Sequence, residues 1–184
     1  CIWPRLKCDG IYYGESMYAL AILPFLLQAI VMVFDEGFFH IQRGLPKWER
    51  IGHPIDTLSV LICMGFVLFV PFSQNTLWIY GFFAVLSSIL VTKDEFVHKH
   101  HCPAAEQWLH ALLFTLHPIT LTCAGFIWPV VQGVEVTPWI ARWLNEPKLL
   151  LLFLQGQFVI MTLFLFYQIV FWNFIWKEKP VLRK

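Results

Sequence analysis

Two short stretches of the chain hold most of its reactive side chains. The first reads Asp35-Glu36-Gly37-Phe38-Phe39-His40, then Pro46-Lys47-Trp48-Glu49 and His53; the second reads Asp94-Glu95-Phe96-Val97-His98, then Pro103-Ala104-Ala105-Glu106 and His110. Matched residues are offset by 57 to 59 positions, which marks an internal repeat with small gaps in its loops. Glu36 and His40, Glu49 and His53, and Glu106 and His110 stand four apart, and Glu95 and His98 three apart, spacings that put each pair on one helix face. Carboxylates mixed with imidazoles are donors that suit iron, manganese or zinc. Four of each suffice for two divalent ions with bridging carboxylates, iron first among the candidates. The expected ligands are therefore Glu36, His40, Glu49, His53, Glu95, His98, Glu106 and His110. Asp35, Asp56, Asp94, His101 and His117 are candidates for further ligation or for holding the ligands in place.

Each of these residues has a plainer reading. Asp35-Glu36 and Asp94-Glu95 are solvated helix ends if taken singly, but acids at a helix C-terminus face the negative end of the macrodipole. Two pairs making the same unfavourable choice at matched positions point to a bound cation. Glu49 and Glu106 favour the dipole at a helix start, and only the histidine that follows each turns the reading toward a metal. For His100 and His101 a solvated loop is the better account. His117 lies seven residues past His110, deeper on the same face, and fits either a partner to a ligand or a buried hydrogen-bonded histidine. All seven histidines and seven of the twelve acids fall between Asp35 and His117. Ionisable groups at mid-membrane cost roughly 2.5–3.5 kcal/mol each, and persist where they serve a site or pathway.

The elements that must position them are membrane helices. Of 184 residues 58% are hydrophobic and only 14% charged, a balance suited to lipid rather than water. A helix crossing a hydrocarbon core of ~30 Å needs about 20 apolar residues. Five stretches are expected to cross: 17–34, 55–72, 76–91 with a polar continuation, 108–131 and 149–176, the shorter ones running on into charged flanks. Pro46 and Pro103 suit helix starts, where the missing N–H has no partner to lose. The expected architecture is an all-α integral membrane protein of one domain, 1–184. Hairpin units at 17–73 and 76–131 form a four-helix bundle, followed by an interfacial connection at 132–147, a fifth span at 148–176 and a tail at 177–184. Arg43, Lys47, Arg50, Lys93, Lys99, Lys177, Lys179, Arg183 and Lys184 collect on one side, which the positive-inside rule makes cytoplasmic, with the N-terminus outside and the C-terminus inside. The polar residues of span five, Gln155, Gln157, Gln168 and Asn173, read as interhelical hydrogen-bond partners. Five cysteines without C-x-x-C spacing give neither a disulfide framework nor a zinc ribbon. A net charge of +1 without basic patches argues against nucleic acid.

Glutamates on four helices, with a Glu-x-x-His at Glu95 and His98, resemble the ligand segments of di-iron and di-manganese carboxylate bundles. His98-x-His100-His101 is loosely similar to one histidine box of the membrane desaturases and hydroxylases, which use several. The carboxylate-rich ligand set and its place at the membrane boundary lead first to a membrane di-metal oxidoreductase, with iron, that takes a hydrophobic or lipid substrate from the bilayer and electrons from a donor protein. A lipid hydrolase with zinc or manganese ranks second. A transporter, sensor or accessory subunit that binds metal without catalysis ranks third, because spans two and three offer little polar path beyond Ser59, Ser87 and Ser88.

Overall fold

The computed structural model describes residues 17–93 and 103–176, and all their regular structure is helical. Helix α1 (Met17–Phe34) runs into a π-helical turn (Asp35–His40) and the short α2 (Ile41–Arg43). Then come α3 (Glu49–Phe69), α4 (Gln74–Thr92), α5 (Ala104–Val131), α6 (Pro138–Trp143), α7 (Pro147–Val170) and a second π-helical turn (Phe171–Ile175). Five helices are long and apolar enough to cross a membrane: Met17–His40, Glu49–Phe69, Gln74–Thr92, Ala104–Val131 and Pro147–Ile175. Two of them start earlier than their apolar runs, α3 at Glu49 and α5 at Ala104, so these charged flanks are helical as expected; the polar continuation of the third span beyond Lys93 lies outside the described residues.

Local chemistry sets the ends. Glu49 N–H and Arg50 N–H donate to the Pro46 carbonyl at 3.0 and 3.2 Å; Glu106 N–H and Gln107 N–H donate to the Pro103 carbonyl at the same two distances. Each proline turn thus delivers its glutamate into the first turn of a helix. Ser73 and Thr76 form a reciprocal cap at the start of α4, with Thr76 N–H donating to Ser73 Oγ at 3.2 Å and Ser73 N–H to Thr76 Oγ1 at 2.8 Å. Gly44 stops α2 with φ +75°, and a Cβ there would lie 3.3 Å from Trp176 Nε1. Only glycine meets both the conformation and the close approach.

The helices run alternately up and down, so the end of α1 and the starts of α3 and α5 share one end of the bundle. α1 lies along α5, α4 packs on α3 and α5, and α7 packs on α3 and α5. The fifth long helix is therefore built into the bundle; the expectation of four helices plus one understates its role. At the opposite end the core is aromatic: the fully buried Trp128 meets Phe66, Phe72 and Tyr80 at centroid distances of 6.4, 5.2 and 5.5 Å. The exterior is apolar along the helices, with Ile30, Val33, Phe69, Trp78 and Leu163 exposed.

Candidate metal centre

The centre starts from an irregularity in the first helix. In an α-helix residues four apart share a face, and residues five apart do not. Between Asp35 and His40 the backbone widens into a π turn, closed by Ile41 N–H donating to the Glu36 carbonyl. Such turns recur at functional sites. Here the wider turn lets both acids reach one ring: His40 Nδ1 lies 2.9 Å from Glu36 Oε2, and His40 Nε2 lies 3.2 Å from Asp35 Oδ2.

Helix α5 faces this turn and supplies the other half. His110 Nε2 lies 3.3 Å from Asp35 Oδ2, and Glu106 Oε1 lies 3.9 Å from His40 Nε2. One ligand atom from each of Asp35, His40, Glu106 and His110 falls within 4.8 Å of all the others, and all four residues are buried. A second group, His40, Glu49 and His53, meets the same criterion. Glu49 is buried, His53 Nε2 lies 4.0 Å from Glu49 Oε2, and the His53 ring stands edge-on to His40 at 4.9 Å. Of the eight expected ligands, Glu36, His40, Glu49, His53, Glu106 and His110 thus converge on one end of the bundle. Glu95 and His98, with Asp94 and His101, lie outside the described residues.

Proton bookkeeping tests whether a cation fits. The Trp172 indole N–H donates to Glu36 Oε1 at 2.6 Å, and the other oxygen of that carboxylate takes His40 Nδ1. A neutral His40 that donates through Nδ1 presents its Nε2 lone pair to an Asp35 oxygen, an acceptor facing an acceptor. A second ring proton, a proton on Asp35 or a metal ion on Nε2 relieves that contact. Asp35 Oδ1 separates the protons from the ion: it is buried and has no hydrogen-bond partner among the described residues. An extra proton on His40 or on Asp35 Oδ2 leaves that oxygen without a donor among the described residues, whereas a metal ion coordinated by Asp35 would serve it. Buried polar atoms left without a partner cost about 1–3 kcal/mol. The donor set, two carboxylates and two imidazoles, suits iron, manganese or zinc.

The shared histidine also bears on stoichiometry. Glu36 Oε2 lies against Nδ1, so only Nε2 of His40 faces the other three residues of the group and could reach an ion there. The four-residue group is complete with it. A second ion would rest on Glu49, His53 and donors outside the described residues.

Other candidates have different partners. Asp56 pairs with Lys93, whose Nζ donates to both carboxylate oxygens at 2.6 Å. His117 is buried between Gln28 Nε2, 3.2 Å from Nδ1, and Ser87 Oγ, 2.9 Å from Nε2; Ser87 in turn meets Ser59 Oγ at 2.7 Å. The Gln28 amide nitrogen can only donate, so Nδ1 accepts and Nε2–H donates to Ser87, which is the buried hydrogen-bonded reading of this histidine. Gln168 accepts from Thr57 across α3 and α7 at 2.8 Å, the interhelical role expected of it. Between these groups and the cluster lies a cavity of about 90 Å³, bordered by Met32, Val60, Leu113, Phe114 and Met161 among others.

Sequence reasoning named Asp35 only as an additional candidate and overlooked Trp172. The contribution of Asp35 depends on the π turn, which helical spacing does not announce. Trp172 sits 136 residues from Glu36, and no short-range pattern links them. Gln28 and Ser87 were equally invisible as partners of His117. No family model matches the chain, and no curated protein or solved structure shows significant similarity to it.

Proposed function

We propose that the chain is an integral membrane protein whose buried carboxylate–histidine cluster holds iron and oxidises a lipid-soluble substrate. The observation that carries this reading is the buried Asp35 carboxylate, with Oδ2 set against two imidazole nitrogens and Oδ1 without a partner among the described residues. Iron bound there supplies redox change and the activation of oxygen. Asp35, His40, Glu106 and His110 would hold the first ion, with Glu36 fixing the tautomer and orientation of His40, as carboxylates commonly do behind ligating histidines. This assignment exchanges the expected roles of Asp35 and Glu36. Glu49 and His53 would hold a second ion together with residues of the second repeat.

Membrane insertion is supported by the five long apolar helices and by the apolar exterior. Lys47, Arg50 and Lys93 lie at the cluster's end of the bundle, which under the positive-inside rule supports a site on the cytoplasmic side. The cavity under the cluster supports a hydrophobic substrate and limits its approach. An engineered cavity of about 150 Å³ holds benzene, and this one, at about 90 Å³, is smaller. It takes dioxygen or the end of an alkyl chain, not a ring system, so the bulk of a lipid substrate would stay outside it.

Elemental analysis and optical spectra of the detergent-purified chain test the reading. Bound iron, with a spectrum that changes when the reduced protein meets oxygen, is the expected result. Zinc or manganese together with lipid hydrolysis in the absence of oxygen would replace the oxidase with a hydrolase on the same ligands. Metal that exchanges freely, with neither reaction, would favour a sensor or transporter.

A further inference from the structure

Trp172 and Trp128 are both almost completely buried, and their indole nitrogens have chemically different partners. Trp128 Nε1–H donates to the Val70 carbonyl at 3.0 Å, which satisfies a hydrogen bond and can do no more. Trp172 Nε1–H donates at 2.6 Å to Glu36 Oε1, a carboxylate that can accept the proton outright. The same carboxylate holds His40 through Nδ1, and the far nitrogen of that ring faces the cluster. On its other side Trp172 touches Trp176, with centroids 4.9 Å apart. Trp176 is only half buried and lies over Gly44 at the end of α2. An unbroken line thus runs from the cluster through His40, Glu36 and Trp172 to Trp176 at the edge of the bundle.

We propose that Trp172 is a one-electron relay for the metal centre, with Glu36 as its proton acceptor and Trp176 as the outlet to the membrane surface. This rests on the redox-metal reading above. The oxidising equivalents come from dioxygen or a peroxide reacting at the metal. One electron leaves the indole for the oxidised metal through His40, and the indole N–H proton moves to Glu36 Oε1. The products are a neutral indolyl radical, a carboxylic acid at Glu36 and a metal reduced by one electron. An external one-electron reductant at the surface then returns an electron through Trp176, and Glu36 gives the proton back. Both residues end as they began, and one electron has moved from the external donor to the metal.

The test uses the full chain in detergent, loaded with ferrous iron, mixed with hydrogen peroxide and freeze-quenched for electron paramagnetic resonance. The expected result is an organic radical whose hyperfine structure changes when the protein carries ring-deuterated tryptophan, and which is lost in Trp172→Phe. Trp176→Phe leaves the Glu36 contact intact, so it should form the radical and lose it several-fold more slowly to added ascorbate. Iron that is bound and oxidised without such a radical overturns the relay and leaves the metal centre standing. A signal that responds to deuterated tyrosine, or one unchanged in Trp172→Phe, does the same. A chain that binds no iron takes down the metal reading and the relay together.

Discussion

The two ends of the helical bundle are built on opposite rules. At the end around Trp128, bulky rings fill the space and the polar atoms are closed onto backbone: the indole N–H and Gln132 Nε2 both donate to the Val70 carbonyl, at 3.0 and 2.7 Å. At the end around His40, four carboxylates and two imidazoles are buried together, and Asp35 Oδ1 remains without a partner among the described residues. In a membrane, where lipid tails give little hydrophobic incentive for helices to associate, the first end would hold by van der Waals packing and a few hydrogen bonds. The second end spends stability, since each buried ion costs several kcal/mol unless it is well compensated. An arrangement that costs stability and stays incompletely satisfied reads as a site, whereas the aromatic end reads as the clamp that holds the helices around it.

Substitutions at either end can break that contrast. The largest effect is expected from His110→Ala, which removes one of the four proposed ligands: metal measured per folded chain should fall to background while the helical circular dichroism of the metal-free protein changes little. Retained metal would show that the cluster is not a ligand set. Trp128→Ala should do the reverse. Removing a fully buried indole is expected to cost about 3–5 kcal/mol of stability, read as a lower unfolding midpoint in detergent, with metal content per folded molecule unchanged. Glu36→Gln tests the division of labour within the π turn. Metal affinity should weaken about 10–100-fold, the usual effect of disturbing a group that orients a ligand, and a titration showing complete loss would return Glu36 to the ligand set. Smallest is Lys93→Met, at about 1 kcal/mol or less because the pair with Asp56 is partly exposed; its unfolding midpoint should shift slightly and its metal content should not.

How far these features could be read in the sequence follows from the physics of each. The five long helices were legible because apolar length alone specifies them. Glu49 and Glu106 were legible because a proline three residues before each forces a helix start. Asp35 was demoted beside Glu36 because the spacing argument assumes a regular α-helix, and the π turn shifts the register by a residue. Trp172 was overlooked for a different reason. Aromatic residues are ordinary in membrane spans, and what singles this one out is a tertiary contact with Glu36. The fifth span was expected to stand beside a four-helix bundle; its packing against α3 and α5 brings that tryptophan into the site.

Metal content of the detergent-purified chain, compared between the natural sequence and Asp35→Asn, bears most directly on the central claim. The account predicts stoichiometric iron in the first and its loss in the second, because the amide removes the charge and the buried oxygen through which Asp35 would bind. Equal metal in both proteins, or none in either, would contradict it.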